Sequence, residues 1–195
     1  MLRPAKRARC RARELCWGPG GTWCRTLTMM TDDSWTRYQL RRKLFSIGED
    51  FWVENDRGER VFKVDGKVLR IRETFVLEDP DGAALARIEA KLIAIRPTMN
   101  IERDGQVYAT VKKALFTILR EHYTIEVQGG PVFEAQGNIT NHEYDIRSDG
   151  QTVASISKRW FTVRDTYGVA ISPGQDEVLL LAAAVCIDEM SEREH

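Results

Sequence analysis

Clusters of basic side chains are the residues of this sequence with the clearest capacity for chemistry, because each cluster could bind an anionic group. The clusters are Arg41-Arg42-Lys43, Lys67 with Arg70 and Arg72, Lys112-Lys113, and Lys158-Arg159. Alternate residues of an extended chain lie on the same face, so Arg70 and Arg72 would present two cations to a phosphate. Near an anionic membrane each such residue is attracted by about 1 kcal/mol. We therefore treat these residues as candidate contacts with anionic lipid head groups.

A solvated protein surface is the alternative interpretation of the same clusters. Lysine and arginine on the outside of a sheet prevent edge-to-edge pairing and keep a protein soluble, without any ligand. Both interpretations stay open at the level of the sequence.

Histidines, cysteines and serines form no catalytic or metal-binding pattern. The residues concerned are His122, His142, His195, Cys10, Cys16, Cys24 and Cys186. None of them has the spacing of a zinc site or of an HExxH helix, and no G-x-S-x-G elbow occurs. Cys186 lies in an apolar run and is predicted to be a small buried hydrophobic residue. We therefore expect no catalytic residue, no metal and no cofactor.

The charge of the chain is divided unevenly along its length. Residues 1–30 carry seven Lys and Arg against one acidic residue, whereas the rest of the chain carries 22 basic and 28 acidic residues. Nucleic-acid binding would need a basic domain, so nucleic acid is not an expected partner. A body with a single cysteine is typical of a reducing compartment, so we expect a cytoplasmic protein, including one peripheral to a membrane.

The N-terminal extension, residues 1–34, has neither hydrophobic periodicity nor the apolar region of about 7–15 residues that a secretory signal requires. Two origins are considered for it: a disordered tail, or translation from an upstream start codon, since Met29 and Met30 precede the first patterned segment. The predicted domain covers residues 35–190, and residues 191–195 form a tail.

Turn signals recur at nearly regular intervals after Trp35. They are centred on Gly58, Gly82, Gly105, Gly130 and Gly150, mostly within Asp-Gly pairs. Asp-Gly favours the positive φ angles of two-residue hairpin turns, and runs with a period of two flank them. In VLRIRETFVL, for example, one face would carry Leu69, Ile71, Phe75 and Leu77, and the other Arg70, Arg72 and Thr74. Ten to twelve antiparallel strands would fit between Tyr38 and Ile171.

The C-terminal segment from Val178 to Ile187 contains no polar side chain. Asp176 and Glu177 suit a helix N-terminus, and the Leu and Ala that follow favour a helix. Ten helical residues span about 15 Å, half of a hydrocarbon core of about 30 Å, and acidic residues lie at both ends. The sequence therefore predicts no transmembrane span but a helix buried inside a closed barrel.

Five stretches of this chain resemble the LURP-one-related family, which lies in the Tubby C-terminal-like superfamily with the phospholipid scramblases. They are YQLRRKLFSIGEDFWVEN (38–55), VFKVDGKVLRIRETFVLED (61–79), QGNITNHEYDI (136–146), SKRWFTVRDTYGVAI (157–171) and DEVLLLAAAVCIDEM (176–190). The resemblance implies a closed antiparallel β-barrel of about twelve strands that encloses a hydrophobic C-terminal α-helix.

The resemblance is less specific about function. Tubby proteins bind phosphoinositides through basic residues, although their binding positions have no residue-by-residue match here. The Pro-rich and Cys-rich N-terminal segments of scramblases are missing from this sequence. We expect a non-enzymatic binding module that contacts anionic phospholipid head groups or a protein partner through the barrel exterior. The alternative is a small-molecule binder, or an enzyme, with a pocket at a barrel mouth.

Overall fold

The computed structural model describes residues 34–41, 51–69, 72–115, 120–138, 143–157 and 166–192. These residues form twelve strands and one helix. The strands are β1 (Thr36–Arg41), β2 (Phe51–Asn55), β3 (Arg60–Leu69), β4 (Arg72–Glu78), β5 (Ala84–Ala90), β6 (Thr98–Arg103), β7 (Gln106–Lys113), β8 (Glu121–Val127), β9 (Val132–Asn138), β10 (Glu143–Ser148), β11 (Gln151–Ser157) and β12 (Thr166–Ile171), and the helix is α1 (Glu177–Glu192). The predicted extension 1–34 lies outside the described residues, apart from Ser34.

The strands form one closed antiparallel barrel in which each strand pairs with its neighbours along the chain. The first strand, β1, pairs with β2 on one side and with β12 on the other, and this second pairing closes the barrel. Closure removes the free edges that would otherwise attract other strands. The predicted fold class is confirmed.

Two Asp-Gly hairpin turns have the backbone geometry that their sequence predicts. Asp104 and Gly105 have φ angles of 51° and 74°, and Asp149 and Gly150 have φ angles of 49° and 77°. Two successive positive φ angles characterise the type I′ turn, whose twist matches that of the strands it joins. These local signals therefore set the registers of β6 with β7 and of β10 with β11.

The predicted turn at Gly130 lies between β8 and β9, and its residue with positive φ is Gly129. One detail of the predicted hairpins is wrong. The run VLRIRETFVL is not one strand, because Leu69 at the end of β3 pairs with Arg72 at the start of β4. The chain reverses between these two residues, so Arg70 and Arg72 do not share the face of a single strand.

The helix α1 is surrounded by the barrel. Every residue from Leu179 to Ser191 is buried, which includes all faces of the helix. Its side chains join those of the strands in one hydrophobic core. Burial raises the pKa of the Cys186 thiol far above its usual range and makes the thiol unreactive, as expected of a core residue. The predicted central helix is confirmed, and it continues five residues beyond Ile187, to Glu192.

The N-terminus of α1 is fixed to the barrel by Asp176. One oxygen of its carboxylate accepts the backbone N–H of Leu179 at 3.0 Å, which caps the helix. Both oxygens also accept hydrogen bonds of 2.7 Å from the guanidinium of Arg103 at the end of β6. The guanidinium lies 4.2 Å above the ring of Tyr108 in β7. A single carboxylate therefore connects the helix to two strands.

Candidate functional site

The two ends of the barrel are joined by different sets of connecting sequences, because antiparallel strands alternate in direction. We call one end the long-loop end; its connections are residues 42–50, 70–71, 91–97, 114–120, 139–142 and 158–165. The other is the short-turn end, with connections 56–59, 79–83, 104–105, 128–131, 149–150 and 172–176. Of the long-loop connections, the structure describes residues 91–97, 114–115 and 120.

The two sets of connections carry opposite charge. Those of the long-loop end contain nine Lys and Arg against three Asp and Glu in the sequence. Those of the short-turn end contain one Arg against seven Asp and Glu. The connecting sequences of the two ends therefore differ strongly in charge, which a composition-level count does not show.

The described members of the predicted basic clusters lie in strands near the long-loop end. Arg41 is the last residue of β1, Lys67 lies near the end of β3, and Arg72 begins β4. Lys112 and Lys113 close β7. The other candidates, which lie outside the described residues, are Arg42, Lys43, Arg70, Lys158 and Arg159; in sequence they all belong to connections of the same end.

One of the candidate lipid contacts, Lys113, is buried, and this corrects its predicted role. Only 3 % of its side chain is exposed, and its ammonium group forms an ion pair with Glu121. A bilayer that stays outside the barrel cannot meet this group. Its neighbour Lys112 is partly exposed and forms an ion pair with Glu126 across the β7–β8 pair.

The most exposed apolar side chains of the described residues lie in the connection 91–97, which the sequence analysis missed. Ile93 is 97 % exposed, Ile95 is 96 % exposed and Leu92 is 56 % exposed. Leu115, in the next long-loop connection, is 51 % exposed. The sequence signal was available, because KLIAIRP is a short aliphatic segment between two cations and a proline.

Hydrogen bonds close the base of this loop. The N–H of Lys91 donates to the carbonyl of Thr98 at 2.9 Å, and the Thr98 hydroxyl donates to the carbonyl of Arg96 at 2.9 Å. The carbonyl of Pro97 accepts the N–H of Lys113 at 3.0 Å, which attaches the loop to β7. The exposed isoleucines are therefore carried on a loop with a well-defined base.

A cleft of about 350 Å³ lies beside this loop, where it meets the outer face of β5 and β6. Its lining residues are Glu89, Ala90, Lys91, Leu92, Ile93 and Asn100. A volume of this size is at the lower limit of small-molecule pockets. Polar groups from the strands and aliphatic groups from the loop thus face the same space.

Beneath the long-loop end, a buried polar cluster holds the C-terminus of α1. Glu121 accepts hydrogen bonds from Lys113 and from the hydroxyl of Tyr144. The Lys113 ammonium also donates to the carbonyl of Met190 at 3.4 Å, near the negative end of the helix dipole. It lies 5.7 Å from the centre of the Tyr123 ring. The cluster therefore connects three strands to the helix.

Acidic residues of α1 lie near this cluster. Asp188 and Glu189 are buried, at 7 % and 6 % exposure, and so is Ser191 at 1 %. Burial, and then the hydrogen bond to Glu121, raise the pKa of Tyr144 far above its usual range, so its hydroxyl stays protonated as a donor. Because these groups are sealed from solvent, we assign them to holding the helix and not to a reaction.

Neither a metal centre nor a spanning helix occurs in the part of the chain that the structure describes. No group of three or more His, Cys, Asp and Glu residues there could hold a metal ion. No helix in those ranges has the length and apolar character needed to cross a bilayer.

Comparison with known proteins agrees with this architecture. The family model described as LURP-one-related matches residues 36–188, which begin at the first strand and end within α1. No curated protein matches the chain. The twelve-stranded barrel with its central helix is consistent with the Tubby C-terminal-like superfamily. The chain therefore belongs to the LURP-one-related family.

Proposed function

We propose that this barrel is a non-enzymatic binding module that docks its long-loop end on anionic membrane surfaces. The observation that carries the proposal is the coincidence, at one end, of an excess of basic connections and the most exposed apolar side chains. The acidic short-turn end would be repelled by the same surface. The charge of the connections therefore favours one orientation of the barrel axis, with the long-loop end toward the lipid.

The expected affinity is that of a peripheral protein. Each basic residue near an anionic surface contributes about 1 kcal/mol, and each aliphatic side chain that leaves water contributes up to about 1.5–3 kcal/mol. A few residues of each kind support reversible binding that weakens as salt screens the charges over about 8 Å at physiological ionic strength. Because anionic lipids are enriched in the cytoplasmic leaflet, the proposal places the protein in the cytoplasm, peripheral to a membrane.

Flotation of the full chain with liposomes tests this proposal. Liposomes containing phosphatidylserine or a phosphoinositide should carry the protein upward at low salt, and neutral phosphatidylcholine liposomes should carry much less. Lys91→Glu with Arg120→Glu should abolish most of the binding, since both residues are exposed at the long-loop end. The matched control, Arg57→Glu with Arg147→Glu, makes the same charge change on exposed residues toward the short-turn end.

Two results would count against the proposal. Absence of binding to every anionic liposome at low salt would leave a protein partner as the explanation of the basic end. Equal loss of binding in the two double variants would show that only total charge matters, and not the long-loop end.

A small-molecule site at a barrel mouth is the second candidate function, and the cleft beside residues 91–97 favours it. The helix α1 occupies the barrel interior, so a ligand of this kind would bind at the rim and not inside. Asn100 and Glu89 would supply polar contacts, and Leu92 and Ile93 would supply apolar ones.

A further inference from the structure

We infer that the loop of residues 91–97 is a membrane-inserting element, in which Ile93 and Ile95 enter the boundary between head groups and acyl chains. This inference rests on the proposed function and deepens it by naming the inserted residues and their lipid environment. Basic residues alone would hold the barrel above the head groups. The two isoleucines would add contact with the apolar part of the bilayer.

Exposure is the first support for insertion. Single exposed aliphatic residues are normal on protein surfaces. Here, however, Ile93 and Ile95 are 97 % and 96 % exposed within one seven-residue connection, and Leu92 adds a further 56 %. Leu115 is exposed in the neighbouring connection of the same end. Apolar groups concentrated in this way mark an interaction surface.

The flanking cations identify an anionic bilayer as the partner surface. Lys91 and Arg96 lie on either side of the aliphatic segment, and their long apolar stems let such residues reach toward head groups while neighbouring side chains go deeper. A second copy of the same end would bring like charge against like charge, with nine basic residues against three acidic ones on each side. Charge complementarity therefore favours anionic lipid over symmetric self-association.

The backbone limits the depth of insertion. Peptide groups that enter hydrocarbon without hydrogen bonds are costly, so an irregular loop cannot cross the acyl region. The hydrogen bonds between Lys91 and Thr98, and between Thr98 and Arg96, satisfy groups at the base of the loop. Only the segment between these residues is then available, which corresponds to an interfacial depth of about 5–10 Å.

Two double variants of the full chain separate insertion from charge attraction. Ile93→Ser with Ile95→Ser should lower the partition coefficient onto phosphatidylserine liposomes by about a hundredfold, because each of the two lost aliphatic contacts corresponds to roughly a decade of affinity. The slope of binding against salt should stay unchanged, since no charge is removed. Lys91→Gln with Arg96→Gln should reduce that slope.

Val107→Ser with Val132→Ser is the matched control, because these exposed apolar residues lie beside turns of the short-turn end. Binding of this variant should equal that of the wild-type protein. Melting curves of all variants should stay cooperative, since the changed side chains are exposed or partly exposed and none belongs to the core.

Insertion can be measured directly with Ile95→Trp. The fluorescence of this added tryptophan should be quenched by lipids that are brominated in the upper acyl chain. If the wild-type protein binds and the double isoleucine variant binds equally well, insertion is overturned while the proposed function stands. If the tryptophan is not quenched although the protein is bound, insertion is likewise overturned. If the wild-type protein binds no liposome, both proposals are overturned.

Discussion

At the scale of single residues, the ion pair of Lys113 and Glu121 shows how burial changes the role of a basic side chain. The side chains of both residues are almost fully buried, at 3 % and 1 % exposure. Glu121 also accepts the hydroxyl of Tyr144, and Lys113 reaches the carbonyl of Met190. An isolated buried charge is unfavourable, so each partner is tolerated because the other is present. This pair stabilises one arrangement of helix and strands.

Glu121→Gln should lower the free energy of unfolding by about 3–5 kcal/mol, because it removes the carboxylate that pairs with the buried Lys113 ammonium. Adding Lys113→Met to this variant should recover much of the loss in the free energy of unfolding, since the buried ammonium that lost this partner is then removed. Urea denaturation of the single and double variants measures both effects.

The neighbouring surface pair provides the control for this experiment. Lys112→Met breaks the ion pair of Lys112 with Glu126, in which the two side chains are 25 % and 40 % exposed. It should lower the free energy of unfolding by less than about 1 kcal/mol. If Glu121→Gln lowers the free energy of unfolding as little as Lys112→Met does, the stabilising role assigned to the buried pair is contradicted.

At the scale of elements, the joint between α1 and the barrel depends on the ionised carboxylate of Asp176. Burial would raise the pKa of this carboxyl, but the hydrogen bonds from Arg103, the Leu179 N–H and Tyr108 outweigh it, and the pKa is held below its usual range. A carboxyl whose pKa is lower in the folded protein stabilises the fold above its unfolded pKa, about 4. That stability is lost as the pH falls through the folded pKa.

Asp176→Asn should therefore destabilise the protein most at neutral pH, and the difference from the wild-type protein should shrink as the pH falls below about 4. Asparagine keeps one oxygen that can cap the helix but replaces the other by an NH2 donor, so the change removes the charge and one acceptor for Arg103. Chemical denaturation at several pH values measures the difference. A difference that is the same at pH 7 and pH 3 would show that Asp176 acts only as a neutral cap.

Elements with local signals could be predicted from the sequence, whereas those with non-local causes could not. The Asp-Gly turns at Gly105 and Gly150 need particular φ angles, which their own residues favour. The reversal between Leu69 and Arg72 has no such residues and was missed. KLIAIRP contains a continuous aliphatic run like that of a buried strand, and only its position outside the barrel reveals that Ile93 is exposed.

The site was predictable to a similar degree. Basic residues were recognised by type. That the strand ends near them lie at the same end of the barrel depends on the order and direction of the strands, which the sequence does not state. The burial of Lys113 depends on Glu121, Tyr144 and Met190, which belong to three other elements. Contacts of this kind leave no periodic signal in the sequence.

At the scale of the whole molecule, the barrel and the helix are one cooperative unit. A barrel of twelve strands leaves an interior wider than its own side chains fill, and α1 occupies that space. Neither part can bury its apolar surface without the other. The proposed docking end depends on this unit, because the loop of residues 91–97 is held by strands that surround the helix.

The dependence on the helix can be tested with Leu180→Asp and Val185→Asp, at positions that are 0 % and 1 % exposed. An uncompensated carboxylate in this interior costs several kcal/mol, comparable with the ~5–15 kcal/mol that holds a domain folded, so both variants should aggregate or fail to fold. Truncation after Gln175 should do the same. Leu92→Asp makes the same chemical change at an exposed position and should leave the melting temperature within a few degrees of the wild type. Gel filtration and thermal melting distinguish the outcomes, and a monomeric, cooperatively melting fragment of residues 1–175 would show that the barrel does not need its helix.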